Sequence, residues 1–198
     1  MGLEVIPEAI RARYHIEERG HACAILSVDC PEELADIIAC LDQFVLLRSE
    51  IVEGGGGKSK IAARFDNFLG QRGWSEVRIT FGGPADERDV EEELHKVELC
   101  KGRTALVVKR EDQELFYSWN LSAFRFLHEL GVISVGVIIA RRVELKGRAD
   151  ASAAVWDELE GIGAGRCPLL LIGITAKSYR DDLAHLYNSS FSSKTLSS

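Results

Sequence analysis

Apolar residues recur with two different periods along the chain, and these periods separate predicted helices from predicted strands. After Pro31, apolar side chains return every three or four residues through about Arg48, as they do on the buried face of a helix. Proline is favoured at the first helical position, and the acids that follow it suit the first turn. The same spacing predicts helices over residues 59–71, 114–130 and 151–160.

Other segments have the pattern of strands. Residues 132–140 (VISVGVIIA) and 168–175 (PLLLIGIT) are almost wholly apolar and rich in β-branched side chains, as expected for strands buried on both faces. Further strands are predicted over 74–81, 90–99 and 103–110, the last two as a hairpin, and extended structure broken at Gly20 is predicted over 13–28. The pattern indicates a mixed α/β fold with a central sheet flanked by helices.

The composition agrees with one globular domain, which we expect to span residues 1–177, followed by a polar and partly disordered tail over 178–198. The sequence has neither a leader nor a run of about 18 apolar residues, so we expect no membrane association. The five scattered cysteines favour reduced thiols and a cytoplasmic protein. A net charge of −7 argues against loose binding to nucleic acid but permits a locally positive cleft.

A glycine-rich segment, GGGGKS at residues 54–59, resembles a phosphate-binding loop but lacks two of its requirements. Val52 stands where the motif needs its first glycine, and a helix rather than a strand is predicted before it. The helix that follows could instead hold a DNA phosphate through Lys58, Ser59 and Lys60. A flexible connector with solvated lysines explains the segment equally well. The five histidines show no zinc or triad spacing.

The segment HKVELCKGRTALVVK, residues 95–109, carries the most promising chemistry. Glu98 lies in the first predicted strand of the hairpin and Lys109 ends the second. Residues two apart on a strand share a face, so Val107 and Lys109 point the same way and Glu98 could face them. Cleavage of a phosphodiester bond with Mg²⁺ needs oxygen ligands and a group that activates water. An ordinary hairpin with a solvated Glu98 and Lys109 fits the same spacing.

Four blocks of the sequence, in this order, resemble the BglII/BstYI-type restriction endonucleases of the PD-(D/E)xK nuclease superfamily. They are LLRSEIVEGGGGKSKIAARFDNFLGQRGW, HKVELCKGRTALVVK, LSAFRFLHELGVISVGVIIARRVEL and GAGRCPLLLIGIT, and the likeness covers about residues 13–177. The resemblance implies a mixed sheet between helices, a homodimer, and cleavage of double-stranded DNA at a short palindrome with Mg²⁺, or with Mn²⁺ as a substitute. A cognate DNA methyltransferase is a further partner that it implies.

The resemblance also implies roles for residues of the hairpin. Glu98 stands at the position of the first metal-binding acid, the backbone carbonyl of Val108 would bind the same metal, and Lys109 would position water. Val107 stands at the position of the second acid and supplies no oxygen. Glu111 is the first choice for a substitute carboxylate, ahead of Asp112 and Glu76.

Two functions follow from this departure. The first is a type II site-specific deoxyribonuclease, weakened by Val107, in a restriction-modification system. The second is a catalytically impaired homologue that serves as a sequence-specific DNA-binding or partner subunit. An altered copy of an active enzyme, made to trap DNA uncut, has the same sequence features. The sequence does not identify the base-contacting residues, for which the loops at 54–60, 82–89 and 142–152 are candidates by position.

Overall fold

The structure is a computed structural model that describes residues 2–49, 60–80, 93–109, 116–141 and 167–183. Its helices are α1 (Glu8–Arg13), α2 (Ala22–Val28), α3 (Pro31–Gln43), α4 (Lys60–Gly70) and α5 (Phe116–Glu129). Its strands are β1 (Tyr14–Arg19), β2 (Leu46–Leu47), β3 (Ser75–Thr80), β4 (Glu93–Lys101), β5 (Thr104–Val108), β6 (Val135–Arg141), β7 (Leu169–Ile174) and β8 (Tyr179–Arg180).

Six of these strands form one mixed sheet in the order β1-β7-β6-β5-β4-β3. The strands β5, β6 and β7 run parallel at its centre, and the remaining neighbours pair antiparallel. Every residue of β7 is buried, as are all but the last of β6, which confirms the two strands predicted from apolar runs. The strands β2 and β8 form a separate parallel pair.

Apolar clusters lie on both faces of the central sheet. One contains side chains of α1, α2, α3 and α4, and Phe65 of α4 is fully buried in it. The other lies beneath α5, where Phe124 is fully buried and Leu121 and Leu127 pack beside it. Helices therefore cover both faces, and the α/β fold class predicted from the sequence is confirmed.

The predicted extended structure over residues 13–28 is wrong in its second half. The strand β1 ends at Arg19, and the helix α2 begins at Ala22. Gly20 and His21 both have positive φ angles, 62° and 59°, so the chain turns sharply between the two elements. Ala22, Cys23 and Leu26 are then fully buried on one side of α2, a spacing that suits a helix better than a strand.

The other element boundaries shift by smaller amounts. The helix predicted from Pro31 ends at Gln43 instead of Arg48, because the chain becomes extended at Phe44 and continues into β2. The helix predicted over 59–71 is observed as α4, and Gly73, with a φ of 86°, turns the chain towards β3. The hairpin of β4 and β5 and the helix α5 agree with their predictions.

Several predicted features fall outside the described residues: the glycine-rich segment at 54–59, the helix at 151–160 and the candidate loops at 82–89 and 142–152. Beyond residue 177, Ser178 is buried and Arg48 forms a 2.8 Å ion pair with Asp181. Residues 184–198 are not described, so the domain boundary at 177 stays a prediction. Among the helices that are described, none combines the length and the apolar character needed to cross a bilayer.

The turn of the β4–β5 hairpin is fixed to α3 by the carboxylate of Asp36. Its Oδ2 accepts hydrogen bonds from Lys101 Nζ at 2.8 Å and from Trp74 Nε1 at 3.0 Å. The bond to Asp36 raises the pKa of Lys101, so this ammonium group stays charged. Gly102 has a φ of 50° in the turn, and a Cβ there would lie 2.1 Å from Glu33 Oε1. The turn end of the hairpin is therefore held in place, and the chemistry predicted from the sequence lies towards its other end.

Candidate functional site

The two strands of the hairpin separate at the residues predicted to carry chemistry. The paired residues are Lys101 with Thr104, Cys100 with Ala105 and Leu99 with Leu106. Within the described residues the pairing ends there, one position before Glu98 and Val107. On its other side β5 stays paired with β6 to its end, and the Lys109 N–H donates to the Ile139 carbonyl at 2.8 Å. The hairpin is thus open between its strands while β5 remains fixed to the sheet.

Glu98 lies in a β-bulge of β4. Ser75 pairs with Cys100 and Val77 pairs with Val97, so Glu76 alone stands opposite both Glu98 and Leu99. Val97 and Cys100, three residues apart, contribute to the same apolar cluster, which regular alternation would not allow. Bulges often lie beside active sites, where they redirect a side chain. Simple alternation therefore does not determine the face of Glu98, which is half-buried at this point.

Val107 lies in the apolar cluster beneath α5, with 3% of its surface exposed. Its neighbours in this cluster include Ala105, Phe124 and Ile138. Val108 is equally buried in the cluster on the opposite face of the sheet. The position implied for a second metal-binding acid is therefore occupied by a buried apolar side chain.

The described residues supply few ligands for a divalent cation. Mg²⁺ needs several oxygen ligands around it. Nowhere in the described ranges do three or more His, Cys, Asp or Glu side chains come together in a group that could hold a metal ion. Glu98 and Glu76 are the predicted carboxylates among these residues, since the Val107 side chain has no oxygen and Glu111 and Asp112 are not described. The described residues therefore do not supply a complete set of ligands for Mg²⁺.

The predicted phosphate-binding residues are only partly described. Lys60 is the exposed first residue of α4, and Lys58 and Ser59 fall outside the described residues. Their proposed contact with DNA stays a prediction.

A cluster of charged side chains lies next to the bulge, and the sequence alone did not single it out. Arg78 of β3 stands directly opposite Lys96 of β4. Glu76, which the sequence suggested only as a substitute carboxylate, binds Arg78 Nε with Oε1 and Lys96 Nζ with Oε2, the latter at 2.7 Å. The bonds to Lys96 and Arg78 hold the pKa of Glu76 below its usual value. Glu76 and Arg78 are two residues apart on β3, so strand alternation alone puts them on one face. Lys96 joins them only because of the register in which β4 pairs with β3.

The cysteines have no role at this site. All five are buried and free, as the sequence predicted. Burial raises the pKa of Cys100, on the hairpin itself, to about 12. A thiol with such a pKa is protonated at neutral pH and is a poor nucleophile.

Comparison with known proteins gives three findings. A family model described as restriction endonuclease BglII/BglIII matches residues 14–174. A search of curated proteins found no significant match. A solved structure, the crystal structure of restriction endonuclease BglII complexed with a DNA 16-mer, is similar with a TM-score of 0.55 and 16% sequence identity. The match covers 82% of this chain and 76% of that chain, and at this identity it shows the fold alone.

Proposed function

Because this chain belongs to the BglII restriction endonuclease family, we propose that it binds double-stranded DNA at a short palindromic site as a homodimer, with Mg²⁺-dependent hydrolysis impaired by Val107. The observation that carries this proposal is the burial of Val107 in an apolar cluster, beside a hairpin that retains Glu98 and Lys109. The fold for DNA recognition is kept, while one metal ligand is lost.

Binding to DNA is supported by the fold and by the local distribution of charge. The similar solved structure is that of restriction endonuclease BglII complexed with a DNA 16-mer. The net charge of −7 means that contact with phosphates depends on cations gathered on one part of the surface. Arg78 and Lys96 provide such a group beside the hairpin.

Weak catalysis follows from the ligands that remain. Glu98 and the Val108 carbonyl would hold Mg²⁺, or Mn²⁺ in its place, and Lys109 would orient water. One carboxylate and one carbonyl offset less of the charge of a divalent cation than two carboxylates do, so they hold it more weakly. We therefore propose low metal affinity and slow cleavage.

A second candidate is an endonuclease of full activity, in which Glu111 supplies the missing carboxylate. It is favoured by the position of Lys109, which is fixed to β6 directly after β5 ends, beside the open end of the hairpin. Glu111 follows Lys109 by two residues in the sequence. This candidate requires a cognate methyltransferase to protect host DNA. It predicts cutting of plasmid DNA into discrete fragments, lost in the Glu111→Gln variant.

The proposed function is tested by selecting duplexes from a random pool on the unmodified protein in chelator. We expect one palindromic sequence to be enriched and to bind about 1,000-fold more tightly than a scrambled duplex, with affinity that falls as salt rises. Electrophoretic mobility shifts measure both constants, and the same duplex is then incubated with Mg²⁺ and with Mn²⁺. Equal affinity for all duplexes would exclude sequence-specific recognition.

A homodimer is supported by an apolar stripe on α5. Trp119 and Leu130, which directly follows the helix, are 62% and 58% exposed. Eleven residues make just over three turns of a helix, so the two side chains lie on nearly the same side of it. Two large apolar side chains exposed on one side of a helix make that side a candidate contact surface. A second copy of the chain would cover the same stripe in a two-fold contact.

We expect Trp119→Lys to convert the dimer into a monomer and to lower DNA affinity at least tenfold, since a palindrome needs both copies. Sedimentation equilibrium measures the mass of the protein in solution. Val28→Lys is the matched control, because Val28 is equally exposed but lies at the end of α2. A dimer that survives Trp119→Lys would place the interface elsewhere.

A further inference from the structure

Two cations stand directly opposite each other on neighbouring strands at the edge of the sheet. Arg78 of β3 pairs with Lys96 of β4, and β3 is the last strand of the sheet on that side. Residues paired in this way have Cβ atoms about 5 Å apart, and like charges at such positions destabilise the strand pair. Both side chains remain accessible, with 58% and 41% of their surface exposed. An arrangement of this kind suits an anion that bridges the two cations.

Glu76 is that anion in the free protein. One of its oxygens accepts from Arg78 and the other from Lys96, so its carboxylate lies between them. The low pKa of Glu76 keeps it negatively charged at neutral pH. Ion pairs at exposed positions contribute little to stability, so another anion can replace Glu76 at little cost.

The surroundings of this charged cluster indicate which anion would replace it. Glu76 stands opposite the bulge that contains Glu98, at the end of the hairpin where β4 and β5 separate. A duplex bound at this end of the hairpin would bring its backbone phosphates close to Arg78 and Lys96. A phosphate offers two accessible oxygens, the same arrangement that the Glu76 carboxylate presents.

We propose that Glu76 occupies the place of a DNA phosphate, and that a backbone phosphate replaces its carboxylate between Arg78 and Lys96 when duplex DNA binds. This exchange rests on the proposed function, binding of duplex DNA. No covalent bond changes, and Glu76 turns towards solvent. Every duplex must displace Glu76, so the exchange lowers affinity for all sequences by the same factor.

The experiment measures the affinity of the full chain for a duplex by fluorescence anisotropy between about 50 and 200 mM salt. We expect Glu76→Gln to tighten binding about 3- to 10-fold. We expect Arg78→Gln and Lys96→Gln to weaken binding and each to reduce the slope of log affinity against log salt by about 1, the loss of one phosphate contact. Arg78→Lys, which keeps the charge, should retain the slope.

Two variants at the turn end of the hairpin serve as matched controls. Glu32→Gln changes the net charge as Glu76→Gln does, and Glu32 is an exposed acid near Lys101. Arg103→Gln removes an exposed cation from the turn itself. The exchange is wrong if Glu76→Gln binds the duplex no more tightly than Glu32→Gln does. It is also wrong if Arg78→Gln and Lys96→Gln show the same slope of log affinity against log salt as Arg103→Gln. Absence of duplex binding by the unmodified chain would overturn the proposed function as well, whereas binding with unchanged variants overturns the exchange alone.

Discussion

Val107→Glu raises Mg²⁺-dependent cleavage of the bound duplex about 100-fold over the unmodified chain. The substitution returns a carboxylate to the position where the family relationship implies the second metal-binding acid. Misplacing or removing one group of a catalytic arrangement commonly costs a factor of about 100 in rate, and restoring it should recover a similar factor. Cleavage of a labelled duplex in single-turnover reactions with Mg²⁺ and with Mn²⁺ measures the gain.

The same substitution should destabilise the protein when no metal is present. Val107 is 3% exposed among apolar side chains, and an unpaired carboxylate buried there costs about 3 to 5 kcal/mol. A cation that binds the folded state recovers part of this cost. We therefore expect the melting temperature of Val107→Glu to be low in chelator and to rise with Mg²⁺, unlike that of the unmodified chain.

Val107→Gln is the matched control, because it has the length of glutamate without the charge. It should lose stability, respond little to Mg²⁺ and cleave no faster than the unmodified chain. If Val107→Glu binds the duplex but cleaves no faster than Val107→Gln with either metal, Val107 is not the cause of impaired catalysis.

Gly136→Ala destabilises the folded protein by about 3 kcal/mol. A Cβ on Gly136 would lie 2.4 Å from Phe124 Cδ2 and 2.9 Å from Leu169 Cδ2. Gly136 is paired with Ala105 on one side and Leu169 on the other, so its backbone cannot move away from α5 without disturbing two strand pairs. Adding volume to a well-packed core typically costs about 1 to 3 kcal/mol, and this position lies at the upper end. Urea unfolding followed by circular dichroism measures the change.

The cause of this loss can be isolated by a second substitution. Phe124→Leu removes the ring atoms that a Cβ on Gly136 would meet, so Gly136→Ala should cost at least about 1 kcal/mol less in that background. Gly70→Ala is the control, because no atom lies within 4 Å of a Cβ built there and the residue ends α4. Equal losses with and without Phe124 would show that the ring is not responsible.

The sequence predicted the helices and strands in which the pattern of buried side chains is regular. The apolar runs of β6 and β7 are typical of strands covered on both faces, and Pro31 with the following acids marks the start of α3. The helix α2 was missed because its short apolar run fits a strand or a helix equally well. The turn at Gly20 and His21, which decides between them, depends on backbone angles that local composition did not predict.

The candidate site was predictable only in part, because it combines local and non-local features. Glu98, Val107 and Lys109 were found from the hairpin and from the family resemblance, and their roles stay predictions. The contact between Glu76 and Lys96 depends on the register of β3 against β4, which the sequence does not fix. The bulge at Glu98 is likewise a property of strand pairing rather than of the residues on either side of it.

That bulge reflects a one-residue difference in length between β4 and β3. It lets Val97 and Cys100, three residues apart, both reach the cluster beneath α5. Deleting Glu98 would bring these two residues to a spacing of two, which keeps them on one face and leaves the pairing on either side unchanged. One residue of length at this point therefore separates a regular strand pair from one whose acid is released from the alternation of its neighbours.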